Sequence, residues 1–155
     1  MELQQRIAGK LPQIDIEGTM FFIDLRLREL RADGLRSKIN LDDLEIGPDG
    51  ESYRFAFNTA TKQVVEIDRK IIEWPKHFLI AEIPGDLKLD SYSIAIKNGL
   101  MPEQFLKTHP IEKDLKAKII PLSETAIPAM MKRNKQTKEQ KLLTKPATKN
   151  KRNRI

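Results

Sequence analysis

Gln13-Ile14-Asp15-Ile16-Glu17-Gly18-Thr19-Met20-Phe21-Phe22-Ile23-Asp24-Leu25-Arg26-Leu27-Arg28 is the stretch on which the fold turns. Ile14 and Ile16 alternate with Gln13, Asp15 and Glu17, the period of a strand with one wet face. Gly18-Thr19 suits a two-residue type II′ turn, which wants Gly first. Beyond the turn, Phe21, Ile23, Leu25 and Leu27 alternate with Phe22, Asp24, Arg26 and Arg28. The spacing predicts a hairpin that pairs Glu17 with Met20, Ile16 with Phe21 and Ile14 with Ile23. Those four apolar residues then share one face. The second strand is expected to end near Arg31, before Asp33-Gly34.

Upstream, residues 2–8 read as a short helix with Leu3 and Ile7 at i, i+4, ended by Gly9 and Pro12. Downstream, Ile39, Leu41 and Leu44 suggest a short extended piece, and Gly47-Pro48-Asp49-Gly50 a turn. Tyr53, Phe55 and Phe57 share a face, and Val65 and Ile67 match them in parity across the loop Asn58-Thr59-Ala60-Thr61-Lys62, a second hairpin. Phe78–Ile83 is a continuous apolar run, suited to a central strand, and Pro84-Gly85 closes it. The period then changes. Asp90 is placed to cap a helix over Ser91–Asn98 that Gly99 stops, and Pro102–Lys107 adds a turn or two. Ile111, Leu115 and Ile119 stand at i, i+4, i+8, a helical stripe opened by Pro110 and stopped by Pro121. Pro128 opens a last helix from about Ala129 towards Leu143, with little beyond Met130 and Met131 to dock. After Pro146 there is almost nothing to bury, and disorder is expected. The expected fold is α+β: a mostly antiparallel sheet from two hairpins plus one or two strands over roughly 12–84, with short C-terminal helices. One domain covers 1–131, and a basic, partly helical to disordered tail covers 132–155.

The charge balance divides at the same place. Residues 132–155 hold ten Lys or Arg and one acid, Glu139, a net +9 within a chain of net +6. The remainder is net −3, so the basic character belongs to the tail. With no cysteine, disulfides, thiolate metal sites and thiol nucleophiles are excluded. The longest apolar runs are four residues, such as Met20–Ile23, far below the ~20 of a membrane helix. Met1–Arg6 has no apolar signal region, and a cytoplasmic protein with no membrane partner is expected.

Catalytic spacing is scarce. His77 and His109 are 32 residues apart with no carboxylate at ligand spacing, and a zinc site needs three or four ligands. They read as ordinary surface or loop histidines, and no metal or cofactor is expected. Asp42-Asp43-Leu44-Glu45 lacks the calcium-loop pattern and reads as a solvated turn. Asp15 and Glu17 form a carboxylate pair on an exposed strand face, and Thr59–Lys62 a hairpin loop. Gly9-Lys10 is no phosphate loop, and G-x-G-x-x-G, G-x-S-x-G and S-x-x-K are absent. These absences disfavour an enzyme. Lys132, Arg133, Lys135, Lys138, Lys141, Lys145, Lys149, Lys151, Arg152 and Arg154 form a spaced basic string that attracts phosphate backbones without reading sequence. No aromatic accompanies them to stack on bases. A solubilising tail, or one docking on an acidic protein patch, is the competing reading. Trp74, before Pro75, is either the cap of a small core or an interface anchor.

Several segments in order carry a resemblance. They are Leu11-Pro12 with Gly18-Thr19-Met20-Phe21, Leu27-Arg28-Glu29-Leu30-Arg31, Glu82-Ile83-Pro84, Leu87-Lys88-Leu89-Asp90, Asn98-Gly99-Leu100, and Leu115-Lys116-Ala117 with Pro121-Leu122. Over about residues 2–131 the chain resembles small bacterial proteins of unknown function associated with mobile genetic elements. The resemblance implies a cytoplasmic accessory protein with a DNA-related role, and brings no catalytic residues. The expected function is therefore a non-enzymatic binding module whose tail contacts DNA or RNA. The alternative is a protein–protein adaptor docking through a sheet edge or the Trp74 surface.

Overall fold

The computed structural model describes residues 2–34 and 36–153, with side chains as far as Leu142. The fold is α+β and mostly antiparallel. Helix α1 (Leu3–Ile7) leads into strands β1 (Gln13–Ile16), β2 (Thr19–Asp24), β3 (Glu29–Ala32) and β4 (Lys38–Asn40). A 3-10 turn (Leu41–Asp43) precedes β5 (Glu45–Ile46), β6 (Tyr53–Asn58), β7 (Gln63–Val65) and β8 (Phe78–Ile83). Helices α2 (Asp86–Leu89), α3 (Ser91–Lys97) and α4 (Pro102–Thr108) follow, then β9 (Leu115–Lys116), β10 (Lys118–Ile120) and α5 (Ile127–Asn153).

The strands make two sheets where the sequence suggested one. The first runs β4-β3-β2-β1-β9, and the second β10-β8-β6-β5 with β7 also on β6. Among the described residues only the β1–β9 pairing is parallel. Ile14, Ile16, Phe21 and Ile23 from one sheet and Phe57, Ala81 and Ile83 from the other share a single core. Phe21 meets Phe57 edge to face, with centroids 6.3 Å apart, a favourable aromatic geometry. Ala117 joins β9 to β10, so one segment passes from the first sheet to the second, a way of closing a corner between packed sheets.

The first hairpin forms with its apolar face as expected, but in a different register. Ile16 pairs with Thr19 and Ile14 with Phe21. The turn residues are Glu17 and Gly18, at φ 46° and 84°, both left-handed as a type I′ turn requires. The Asp15 carboxylate accepts the Gly18 N–H at 2.7 Å, which steadies that turn. The register moves by two residues, so parity survives and all four apolar residues stay fully buried.

Other expectations are corrected. The strand expected to continue to Arg31 breaks after Asp24, and residues 25–28 turn back into β3. This turn contains neither Gly nor Pro. Arg28 takes φ +57°, the Leu27 N–H donates to Asp24 Oδ1, and Leu27 is exposed. In the second hairpin Asn58 pairs with Gln63, which puts Val64 opposite Phe57 and against the core, instead of Val65. Ile67 lies outside the strand. The helix expected over 111–119 is extended. Leu115 is buried beside Ile14, whereas Ile119 is 42% exposed, because strand alternation, not a helical stripe, sorts these residues. In α1, Arg6 is buried and Ile7 exposed, the reverse of the apolar spacing. Phe78–Ile83 is central as expected, between β10 and β6. Asp90 caps α3 through the Ser93 N–H.

The chain divides into two compact units, Met1–Val65 with His77–Ile120, and Glu66–Lys76 with Pro121–Ile155. Both sheets and α1–α4 lie in the first. In the second, the Asn134 side-chain amide donates to the carbonyls of Arg69 and Ile71, at 2.8 and 2.7 Å. That tie places the early turns of α5 with the 66–76 loop, where sequence drew a boundary after residue 131. Helix α5 begins near its expected start and continues beyond the expected end to Asn153. The disorder predicted beyond Pro146 concerns residues whose side chains lie outside those described. No helix among the described residues is long and apolar enough to cross a membrane.

Candidate functional site

Two features gather polar chemistry. The first is a cleft of about 850 Å³ within the first unit, lined in part by Tyr53, Asp86, Lys88, His109, Lys116 and Lys118. Its floor is built by close approach of backbone. A Cβ on Gly85 would lie 2.6 Å from the Glu51 carbonyl oxygen, so only glycine lets the 84–86 segment reach the 49–52 turn.

Two of the lining residues, Tyr53 and Asp86, belong to a charged cluster centred on Arg28. Its guanidinium donates to Asp42 at 3.1 Å, to Asp86 at 2.6 Å and to the Tyr53 hydroxyl at 2.9 Å. Tyr53 in turn donates to Asp86. Burial disfavours the arginine's charge, but the three hydrogen bonds outweigh it and raise its pKa above the ordinary value. Burial and the bond to Asp86 push the Tyr53 hydroxyl up, so it stays protonated as a donor. One guanidinium thus serves two carboxylates, Asp42 and Asp86. Glu82, also on the cleft, is held by Arg54 at 2.8 Å. Asp49 accepts from Ser52 and from the Glu51 and Ser52 N–H groups, which lowers its pKa to about 2.

His109 sits at the cleft on an exposed loop. Its ring stacks on Phe105 with centroids 4.6 Å apart. The Thr108 hydroxyl donates to the Phe105 carbonyl at 3.1 Å and lies 2.9 Å from His109 Nδ1. His77 is an exposed residue whose backbone carbonyl accepts from Thr59. Among the described residues no group of three or more His, Asp or Glu is arranged to hold a metal ion.

The second feature is α5. Ile127, Met130, Met131 and Asn134 are half-buried, and the other side chains of the helix from Pro128 to Leu142 are exposed. Lys132, Arg133, Lys135, Lys138 and Lys141 therefore stand on the solvent side of one helix. Lys145, Lys149, Lys151 and Arg152 continue the same helical run, with side chains outside the described residues, and Arg154 lies outside them altogether. Trp74 is half-buried in the second unit.

No protein-family model, curated protein or solved structure matches this chain. The two sites are read from their own chemistry. The basic helix is legible as a charge run. The cleft is not, because Lys88, His109, Lys116 and Lys118 are separated by up to 30 positions and share no motif.

Proposed function

We propose that this chain is a non-enzymatic accessory binding module whose basic helix holds nucleic acid by its phosphates. The observation that carries the reading is the helical run itself. Residues 132–155 are net +9, and the described cations among them are exposed on α5. A helix laid along a duplex can bring several lysines to phosphates at once, and the released counterions favour association whatever the base sequence. The tail holds no Phe, Tyr or Trp, so bases are not read by stacking.

Replacing Lys138, Lys141, Lys145 and Lys149 with Gln tests the reading without cutting the Asn134 anchor. Mobility shifts on a labelled duplex should show binding by the parent chain and little or none by the variant. Equal binding by both would remove the basis of the proposal.

An adaptor is the second reading. It is favoured by Ile96, Leu100 and Met101, which are 54%, 45% and 67% exposed around the end of α3. Three neighbouring apolar side chains left in water are a feature of contact surfaces.

A further inference from the structure

We infer that the 66–76 loop and α5 form one composite phosphate-binding surface, in which Arg69 and Lys70 engage the same duplex as the helix. The inference rests on the nucleic-acid reading of α5 and extends that site to a second segment. Positive charge is concentrated in the second unit, where thirteen Lys or Arg stand against five acids. The first unit holds fifteen against seventeen, so the surplus lies wholly in the second.

Within that unit the loop is held against the helix through Asn134. Its side-chain amide has two protons to give, and they reach the Arg69 and Ile71 carbonyls at 2.8 and 2.7 Å. Inside the loop the Asp68 carboxylate accepts the Lys70 N–H at 2.9 Å, and the Ile71 N–H donates to the Asp68 carbonyl at 3.0 Å. This is a turn opened by an Asp, with Arg69 and Lys70 as its two central residues. Both are exposed, and neither enters an ion pair among the described residues. The loop adds no net charge, because Glu66, Asp68 and Glu73 balance Arg69, Lys70 and Lys76. What it adds is two cations at the point where it meets the helix.

On α5 the row that starts at Asn134 continues through Lys138 and Lys141, both exposed, at i+4 and i+7. They lie about 6 and 10 Å further along the axis, at about 1.5 Å per residue. Arg69 and Lys70 at the docked end and these lysines beyond it therefore share one side of the helix. A duplex carries a negative charge about every 1.7 Å of its axis, so phosphates can meet both segments at once. Because hydrogen bonds already hold the loop, its cations are gathered without ordering a free segment.

The test measures affinity for a labelled DNA duplex against salt, in the full chain and two variants. Each phosphate engaged adds about −0.9 to the slope of log K against log salt. Arg69→Gln with Lys70→Gln should make that slope shallower by about 2, so that the loss of affinity between 50 and 200 mM salt is about tenfold smaller than in the parent. Lys97→Gln with Lys107→Gln removes the same charge at exposed positions of the first unit and should leave the slope as it is. A parent-like slope in the loop variant would overturn the composite surface and leave the α5 reading standing. An equal reduction in the control would overturn it too, since net charge alone would then account for the change. Absence of duplex binding by the parent chain would remove both.

Discussion

Phe21 has no exposed surface and packs edge to face on Phe57 across the two sheets. Phe21→Ala should cost about 3–5 kcal/mol, since it loses transfer energy and leaves a void. Arg26→Ala, at an exposed position on the following turn, should stay within about 0.5 kcal/mol. Denaturant melts of the two variants check the contrast, and similar losses would contradict the packing described. Arg6 and Asp90 give a different case. Their side chains are 5% and 0% exposed, and Arg6 also donates to the Lys10 carbonyl at 2.7 Å and lies over the Tyr92 ring. Removing one partner strands a buried charge, so Asp90→Ala should cost about 3–5 kcal/mol. Arg54→Ala, which breaks the more exposed pair with Glu82, should cost about 1 kcal/mol or less. Chemical denaturation of both variants distinguishes them. Burial of Phe21 was legible in its alternation with polar neighbours. Burial of Arg6 was not, because its partner lies 84 residues away and a lone arginine in a short helix reads as surface.

Elements were legible where local pattern and tertiary burial agree. The β1–β2 hairpin, β8 and the Asp90-capped α3 are such places. They were illegible where the turn carries no turn residue, as at Leu25–Arg28, where Asp24 and Arg28 supply by side-chain bonding what Gly or Pro supplies elsewhere. The segment 111–120 fails for another reason. Its apolar residues fit a helix as well as a strand, and only the open edges of β1 and β8 decide for strands. The approach of Gly85 to the 49–52 turn belongs to this scale as well. Gly85→Ala should lower the melting temperature by several degrees, since a Cβ would meet backbone that has no flexible end to move. An unchanged melt would show that the two segments are not held in contact.

At the scale of the molecule, carboxylates set the response to acid. Burial works against ionised Asp24, but hydrogen bonds from Arg31 and the Leu27 N–H, with the charges of Arg31 and Arg26, outweigh it and hold its pKa below 3.8. Asp49 is held at about 2. A depressed folded-state pKa gives stability that is complete above the unfolded value, about 4, and lost as pH falls through the folded one. Melting temperature should therefore hold steady down to about pH 5 and then fall towards about pH 2, less steeply in Asp24→Asn. An identical decline in that variant would contradict the account. The cleft shows why site legibility differed from fold legibility: charge runs are local, whereas a cleft assembled from four separate segments, 49–53, 82–88, 108–112 and 116–118, leaves no trace in spacing. The central claim is that α5 holds nucleic acid through phosphates, and its salt dependence tests that most directly. With about five of the ten cations engaged, duplex affinity of the full chain should fall roughly 10²–10³-fold between 50 and 200 mM salt. A fall of less than about threefold over that range would mean that fewer than one phosphate is contacted on average, and would contradict it.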